Sequence, residues 1–454
     1  MLCLFLWLFV SGTGTFAAEE PSAQKKKDAV VSTKSEEEQR LDTIHYGTEM
    51  EIAALIQTLK SENTDYLDDE LITLMQSTRN RTILSGVFSF FGDRDKAGLE
   101  ARAIQAIEGR DEEANDTVLG AINYLGKVKA AAAIPAIEAL LDTEERRFMG
   151  AAFRALGRVS GGQAGVATYL LDYYTNRNPG DEHRGEIITA LGETGSNEGV
   201  TFLADIIVNK EERAVLRMAA LAALSKIGDG LDAILQAVSA EDPNVRASAI
   251  AALGPFSGKQ VDDTILESFR DSFYRTRIGA AEAAGKRKLT SAIPYLRFRA
   301  ENDEVPTVKD AAIRALGAIE TNEAIGVLES LFTNRKHPDR VRLLAAEMLI
   351  TNDAGAYADT VIIELDEAKG KNQTALYNGF LKVLGSAKTR TIEDLARRFF
   401  TSGGLIEKSY ALDMTANNEF RSLAPEVRAL IQDKNSSLTR KAKNTLQKLG
   451  LPEE

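Results

Sequence analysis

One signal recurs along most of the chain: an alanine-rich amphipathic segment that ends on glycine. It is clearest at 242–254, where the residues run Asp-Pro-Asn-Val-Arg-Ala-Ser-Ala-Ile-Ala-Ala-Leu-Gly, and it returns at 306–317. Proline suits the first turn of a helix, apolar residues follow at intervals of three to four, and glycine is favoured where a helix ends. Each copy therefore predicts one helix that its last glycine closes.

We call the last residue of each copy its terminal position. Successive terminal positions are about 32.5 residues apart, and a regular period of this length indicates a solenoid. A second amphipathic segment lies between them, as at 134–141 and 324–332. Neither helix of such a pair can bury its apolar face alone, so the pairs must stack. The terminal positions are Gly92, Gly126, Gly157, Gly192, Ser225, Gly254, Gly285, Gly317, Ile350, Gly385, Thr415 and Gly450.

The motif of the first helix, followed by a second helix that opens Ala-Ile/Val-Pro, resembles the short HEAT-like repeats named after phycobilisome lyases. The second-helix opening recurs at Ile134-Pro135 and Ile293-Pro294. The resemblance implies an all-α fold, an α-solenoid in which antiparallel helix pairs form a right-handed superhelix with the second helices on its concave side. About eleven helix pairs and a terminal helix are expected over 44–450. The last unit, 438–450, is predicted to be a cap because its lysines would face water.

The two ends of the chain differ from the repeats. An apolar run over residues 2–10 precedes small residues, which predicts a signal peptide over 1–18. Residues 19–43 are charged and have little to bury, so they predict a flexible linker, and 451–454 form a short tail. No Lys or Arg precedes the apolar run, so an uncleaved anchor remains the alternative to cleavage.

The signal peptide predicts export, to the periplasm or the cell exterior. Cleavage is expected after Ala17 or Ala18. The only cysteine, Cys3, and the only tryptophan, Trp7, would leave with it. The mature chain would then have no disulfide and no thiolate metal site, and we expect no transmembrane span in it.

Residues for catalysis are scarce. The three histidines, His45, His183 and His337, lie far apart in the repeats, and motifs for a serine nucleophile, a phosphate loop or a zinc helix are missing. Deoxyhypusine hydroxylase has similar repeats but uses His-Glu pairs to hold iron, and this chain has no His-Glu dipeptide. We therefore expect no catalytic residue, no metal site and no cofactor. The predicted function is an exported, non-catalytic scaffold or adaptor that binds a protein or an envelope component along its concave face. The alternatives are a lyase-like enzyme or enzyme subunit of the HEAT-like repeat group, and a self-assembling structural envelope protein.

A basic segment at 268–300 is the strongest candidate for a binding surface. It contains eight basic and two acidic residues in a chain of net charge −12, with aromatic residues between them. Arginine pairs bidentately with carboxylates and stacks on rings, so an acidic protein or an anionic envelope component is the expected partner. The alternative is a solvated face, with Arg299 paired to an acid of the next repeat. The predicted contact residues are Arg270, Arg275, Arg297, Arg299, Tyr295 and Phe298.

Charge shows two further patterns. Residues 44–144 hold 9 basic and 18 acidic residues, whereas 371–454 hold 14 and 9, so self-association end to end is an open alternative. The acidic pI of about 5.1 argues against binding to nucleic acid. Six successive repeats carry a cation eight residues before the terminal position, which favours pairing with acids of neighbouring repeats over an anionic fibre. These cations are Arg184, Arg217, Arg246, Arg277, Lys309 and Arg342.

Overall fold

The computed structural model describes residues 35–62, 64–177 and 179–453. Within these ranges the regular structure consists of 26 α-helices and six short 3-10 turns, without a strand. The all-α prediction is confirmed. The predicted signal peptide and most of the predicted linker lie outside these ranges. The 3-10 turns are Ala131–Ala133, Asn197–Gly199, Thr290–Ala292, Arg390–Ile392, Arg421–Leu423 and Leu430–Gln432.

The chain divides into two compact units, the first ending at Leu74. The first unit contains α1 (Glu36–Tyr46), α2 (Glu49–Glu62) and most of α3 (Asp68–Ser77). The predicted linker extended to residue 43, but the structure places 36–43 in α1.

The first turn of α1 explains this correction. The Ser35 hydroxyl accepts a hydrogen bond from the amide of Glu38, and the Glu38 carboxylate accepts one from the amide of Ser35. This capping box satisfies amides that a helix start otherwise leaves unpaired. Arg40 then joins α1 to α2 through an ion pair of 2.6 Å with Glu62. The acidic run at Glu36–Glu38 is therefore a helix start and not linker.

The second unit consists of two layers of helices that alternate along the chain. The first-helix layer comprises α4 (Arg81–Asp93), α6 (Asn115–Lys127), α8 (Arg146–Val159), α10 (Asp181–Thr194), α12 (Ala214–Ile227), α14 (Pro243–Ala252), α16 (Tyr274–Lys286), α18 (Pro306–Ile319), α20 (Asp339–Asn352), α22 (Thr374–Gly385), α24 (Leu405–Asn418) and α26 (Ser436–Lys448). The second-helix layer comprises α5 (Glu100–Glu108), α7 (Ile134–Asp142), α9 (Ala164–Asn176), α11 (Val200–Val208), α13 (Leu231–Ala237), α15 (Lys259–Ser268), α17 (Ile293–Asn302), α19 (Asn322–Thr333), α21 (Ala354–Gly370), α23 (Glu393–Ser402) and α25 (Ala424–Ala429).

Stacking follows the same rule from α4 to α26. Each first helix packs against the next first helix, and each second helix packs against the first helix that follows it. The buried side chains are mainly Ala, Leu, Ile and Val, with phenylalanines at 88, 90 and 91 in α4. The second unit is thus the α-solenoid of stacked helix pairs that the repeat period predicted.

Most terminal glycines have a different role from the one predicted, although Gly254 and Gly450 do follow their helices. Gly157 and Gly192 lie inside their helices, not after them. A Cβ atom on Gly192 would lie 2.7 Å from the Cα of Ala223 in the next first helix, and a Cβ on Gly157 would lie 2.8 Å from the Cα of Ala190. Real Cβ atoms do not approach a backbone so closely. Glycine is needed here for close packing between repeats.

The residue that ends many first helices lies three positions later. At these sites the backbone adopts the left-handed conformation. The chain then leaves the helix axis, and backbone amides beyond the helix donate to its last carbonyls. The amide of Leu289, for example, reaches back to the carbonyl of Ala284 at 2.9 Å. Only two of the six such residues are glycine, so the sequence pattern concealed the true cap. They are Asp95, Lys129, Gly195, Gly228, Lys288 and Glu320.

This packing can be tested with one substitution at two glycines. Gly192→Ala should lower the free energy of unfolding by about 2 kcal/mol, because the added methyl group forces α10 and α12 apart. Gly326→Ala is the matched control: Gly326 lies inside α19 and a Cβ there would meet no atom within 4 Å. The control should be stabilised by up to about 1 kcal/mol, since alanine is the better helix former. Urea unfolding measures both; equal effects at the two sites would contradict the packing role.

Candidate partner-binding surface

The six predicted contact residues lie in both layers of the solenoid. Arg275 belongs to α16, a first helix, and lines a groove of about 230 Å³ together with residues of α12 and α14. Its guanidinium lies 3.4 Å from the side-chain oxygen of Asn244. The other five lie on α17 or directly after α15, in the second-helix layer. The structure therefore does not bring Arg275 to the same surface as the rest.

Arg270 is held at the end of α15 by a charged and an aromatic neighbour. It forms an ion pair of 2.9 Å with Glu267, and its guanidinium lies 5.8 Å from the centre of the Tyr295 ring. Tyr295 is half-buried and stacks on the buried ring of Phe269 at 5.7 Å. The Arg270 side chain itself remains mostly exposed, so it can meet a partner.

Arg299 is a structural residue. One of its nitrogens donates to the carbonyl of Phe269 at 2.5 Å, and another lies 3.3 Å from the carboxylate of Asp303. Only 21% of its side chain is exposed. Arg299 thus joins the end of α15 to the end of α17. Its acid is four residues further along the chain, at the entry to α18.

Asp303 is the centre of a buried ion cluster. Arg277 of α16 binds it with two hydrogen bonds of 2.8 and 2.9 Å, and 1% of the Asp303 side chain is exposed. Burial alone would raise the pKa of the Asp303 carboxyl. The hydrogen bonds from Arg277 and the amide of Val305, with the charges of Arg277 and Arg299, outweigh burial and lower that pKa. Asp303 therefore stays ionised in the fold.

Arg277 is one of the six cations that recur before the terminal positions, and the structure shows what most of them bind. Arg217 donates to the carbonyl of Ile207 at 2.9 Å, and Arg342 to that of Phe332 at 3.0 Å. In both cases the carbonyl lies at the end of the preceding second helix, where the last carbonyls lack partners within the helix. Lys309 binds the carbonyl of Glu301 in the same way, and Arg246 binds that of Ala240 in the turn after α13.

Some of these cations also bind acids, as the pairing hypothesis expected. Arg246 lies 3.3 Å from Asp271, and Arg342 lies 2.6 Å from Glu364. The sequence could not indicate the carbonyl partners, because every residue has a carbonyl and only the fold selects which one is reached. The cation at this position therefore joins the first-helix layer to the second in each of these repeats.

Arg297 and Phe298 form the exposed part of the predicted surface. About 58% of the Arg297 side chain is exposed, although it forms an ion pair of 3.0 Å with Glu301. Phe298 is 55% exposed, and the Arg299 guanidinium lies 5.3 Å from the centre of its ring. An exposed aromatic beside arginine is typical of residues that anchor a partner.

A groove between α17 and α19 borders Arg297. Its volume is about 400 Å³, and its walls include Pro294, Glu323 and Gly326. The sequence analysis did not predict this groove, because the groove depends on how two second helices pack. The one sequence signal for this groove was a glycine inside a second helix. A Cβ atom on Gly326 would meet no atom within 4 Å, so close packing does not explain this glycine.

Among the described residues, no group of three or more histidine, cysteine and acidic side chains could hold a metal ion. Within the same ranges, none of the helices has the length and apolar character needed to cross a membrane.

The stacked helix pairs, with their two layers and regular period, define an α-solenoid of HEAT repeats. More specifically, the chain belongs to the family described as spirochaete HEAT repeat protein, which matches residues 44–445. The resemblance to HEAT-like repeats is thus confirmed. None of the curated proteins compared with the chain matches its sequence.

Solved structures that match part of this chain include the karyopherin Kap121p. Kap121p alone has a TM-score of 0.43 and 13% identity, over 90% of this chain and 53% of that one. Kap121p bound to the extreme C-terminus of the protein phosphatase Cdc14p gives 0.42 and 12%, over 90% and 53%. Human deoxyhypusine hydroxylase in complex with glycerol gives 0.25 and 18%, over 59% of this chain and 97% of that one. The chain spans about half the length of the Kap121p chains.

The buried cluster predicts a large effect of removing one charge. Asp303→Asn should lower the free energy of unfolding by about 3 kcal/mol at pH 7, because it leaves Arg277 buried without its counter-ion. The lowered pKa of Asp303 means that its contribution is present above the unfolded pKa of about 4 and is lost as pH falls through the folded pKa. The difference between the two proteins should therefore shrink below about pH 4.

Urea unfolding between pH 7 and pH 3 measures this difference. Asp181→Asn is the control, because the pair of Asp181 with Arg213 is exposed and should contribute less than about 1 kcal/mol. A loss of stability at Asp303 no greater than that at Asp181 would show that the cluster does not hold the repeats together.

Proposed function

We propose that the chain is an exported scaffold or adaptor without catalytic activity, which binds an acidic protein or an anionic envelope component on its second-helix layer. The observation that carries the proposal is the exposure of Arg270, Arg297 and Phe298 in the second-helix layer, where Arg297 also lines the groove between α17 and α19. Membership of a HEAT repeat family supports the scaffold, since solenoids of this type present extended binding surfaces.

Some side chains of this surface are free to contact a partner, whereas others hold the helices of the surface in place. Arg277 and Arg299 are occupied by Asp303 and by backbone carbonyls, so they fix the ends of α15 and α17. Arg297 is paired only with Glu301 on the surface, and a partner carboxylate can replace that acid at little cost. Phe298 supplies apolar area beside it. Binding is thus expected to combine one or two exchangeable ion pairs with a buried ring.

Export rests on the sequence of the first 18 residues. Their apolar run and following small residues have the order of a signal peptide, and the chain beyond them contains no cysteine, which suits an oxidising compartment. The proposed location is the periplasm or the cell exterior.

Charge reversal on the surface tests the binding proposal. The Arg270→Glu/Arg297→Glu double variant should lose at least tenfold in affinity for the partner captured from envelope extracts of the native cell, while its melting temperature stays unchanged. Arg314→Glu is the matched control: Arg314 lies in α18, in the other layer, and 57% of its side chain is exposed. The control should bind like the unaltered protein. Equal binding by all three proteins would contradict the assignment of the surface.

The export proposal has its own measurement. Mass spectrometry of the protein from the native cell should show a chain that begins at Ala18 or Glu19 and lies in the periplasmic or extracellular fraction. An intact N-terminus in the cytoplasmic fraction would contradict it. A metal or chromophore bound in stoichiometric amount to the same preparation would instead favour the enzyme alternative.

A further inference from the structure

Four of the eight large apolar side chains that are exposed in the described residues form two pairs. Tyr46 and Met50, which flank the turn between α1 and α2, are 83% and 81% exposed. Leu405 and Ile406, at the start of α24, are 53% and 51% exposed. Adjacent apolar side chains left in water are a frequent sign of an interaction site. Neither pair belongs to the surface around Arg297.

Leu405 and Ile406 line a groove between α24 and α26, which we call the C-terminal groove. Its volume is about 710 Å³. Tyr410 and Leu438 add to its apolar lining. The α26 side of the groove is basic: Arg440 and Lys441 line it, and the 15 residues from 434 to 448 include five basic residues and no acidic one.

Part of this basic character is already neutralised inside the groove. Lys441 forms an ion pair of 2.6 Å with Asp413 and also donates to the hydroxyl of Ser409 at 2.9 Å. Arg440, which lines the same groove, is exposed. An acidic occupant with apolar side chains would therefore match both the apolar lining and the exposed Arg440.

The turn between α1 and α2 has the complementary character. Residues 35–74 contain eleven acidic and two basic residues. The turn itself is well defined: the amide and hydroxyl of Thr48 donate to the Glu51 carboxylate at 2.7 and 2.9 Å. Tyr46 and Met50 are thus presented from a fixed turn in an acidic surrounding, so little conformational entropy is lost when they are buried.

We propose that the C-terminal groove binds the α1–α2 turn of a second copy of this chain, with Tyr46 and Met50 of that copy entering the groove beside Leu405 and Ile406. Opposite charge on the two surfaces favours this pairing, and like charge disfavours groove against groove or turn against turn. The contact is heterologous, so each copy keeps one free turn and one free groove. Such contacts extend into chains unless the geometry closes a ring.

Sedimentation velocity tests the proposal on the protein purified from the native cell, with the N-terminus that it has there. At low salt the weight-average mass should rise with concentration from that of one chain to beyond that of a dimer, and 0.5 M NaCl should reduce the association because it screens the opposite charges. A mass equal to that of one chain at every concentration would overturn the proposal.

Variants at the two ends distinguish this contact from other modes of association. Tyr46→Glu/Met50→Glu removes the turn surface, and Leu405→Lys/Ile406→Lys removes the groove surface. Each variant alone should sediment as a single chain. A mixture of the two should form one-to-one dimers and nothing larger, because only one intact turn and one intact groove remain. A mixture that stays monomeric, or variants that associate alone, would overturn the head-to-tail contact.

Ile363→Lys is the control for these variants. Ile363 is exposed to a similar degree, at 64%, but belongs to neither surface. This variant should associate like the unaltered protein, and all variants should melt at the same temperature because the altered side chains are exposed. Loss of association in the control would also count against the proposal. The variants leave Arg270, Arg297 and Phe298 intact, so the outcome is independent of the proposed partner surface.

Discussion

The second unit depends on the close approach of successive first helices, in which glycine of one repeat meets alanine of the next. At Gly157, Gly192 and Gly285 the space for a side chain is occupied by the backbone of the following first helix. Helices this close exclude water and gain many weak contacts per residue. The same residue types recur about every 32.5 residues, so one local fit, repeated, holds the array together.

The second layer is attached to the first by charge. In several consecutive repeats a cation of the first helix donates to a carbonyl at the end of the preceding second helix or in the turn after it, and at Arg277 and Arg342 it also meets a buried or nearly buried carboxylate. A buried ion pair contributes little net stability but is costly to break, so it favours one arrangement of the two layers. Through Arg277, Asp303 and Arg299 this arrangement fixes α17, which carries the exposed Arg297 and Phe298.

The sequence alone predicted the repeat period, the helix pairs and the solenoid. Apolar spacing and glycine recur so regularly that the pattern is clear even where a single copy of the motif is weak. It was insufficient where one residue type serves two purposes. Glycine is favoured both at helix ends and at close contacts, and only the structure shows that Gly192 serves the second purpose while Gly195 ends the helix. The acidic run at Glu36–Glu38 suits a solvated linker as well as a helix start, and the Ser35 cap decides between them.

The predicted binding surface shows the same limit. Arg275 and Arg299 were grouped with Arg297 because they are close in sequence. In the fold, Arg275 lies in the first-helix layer and Arg297 in the second. Arg299 is hydrogen-bonded to the buried carboxylate of Asp303. Charge and aromatic content could identify the segment, whereas exposure and partners depend on packing between repeats. What remains for a partner is Arg270, Arg297 and Phe298.

The most direct test of the packing between repeats is a double-mutant cycle at one contact between first helices, with Gly192→Ala, Ala223→Gly and the pair combined. If α10 and α12 depend on this contact, Ala223→Gly should relieve part of the damage caused by Gly192→Ala, because it removes the Cβ atom that the new methyl group meets at 2.8 Å. We expect a favourable coupling energy of about 1 kcal/mol in equilibrium unfolding. Changes that add without coupling would contradict it.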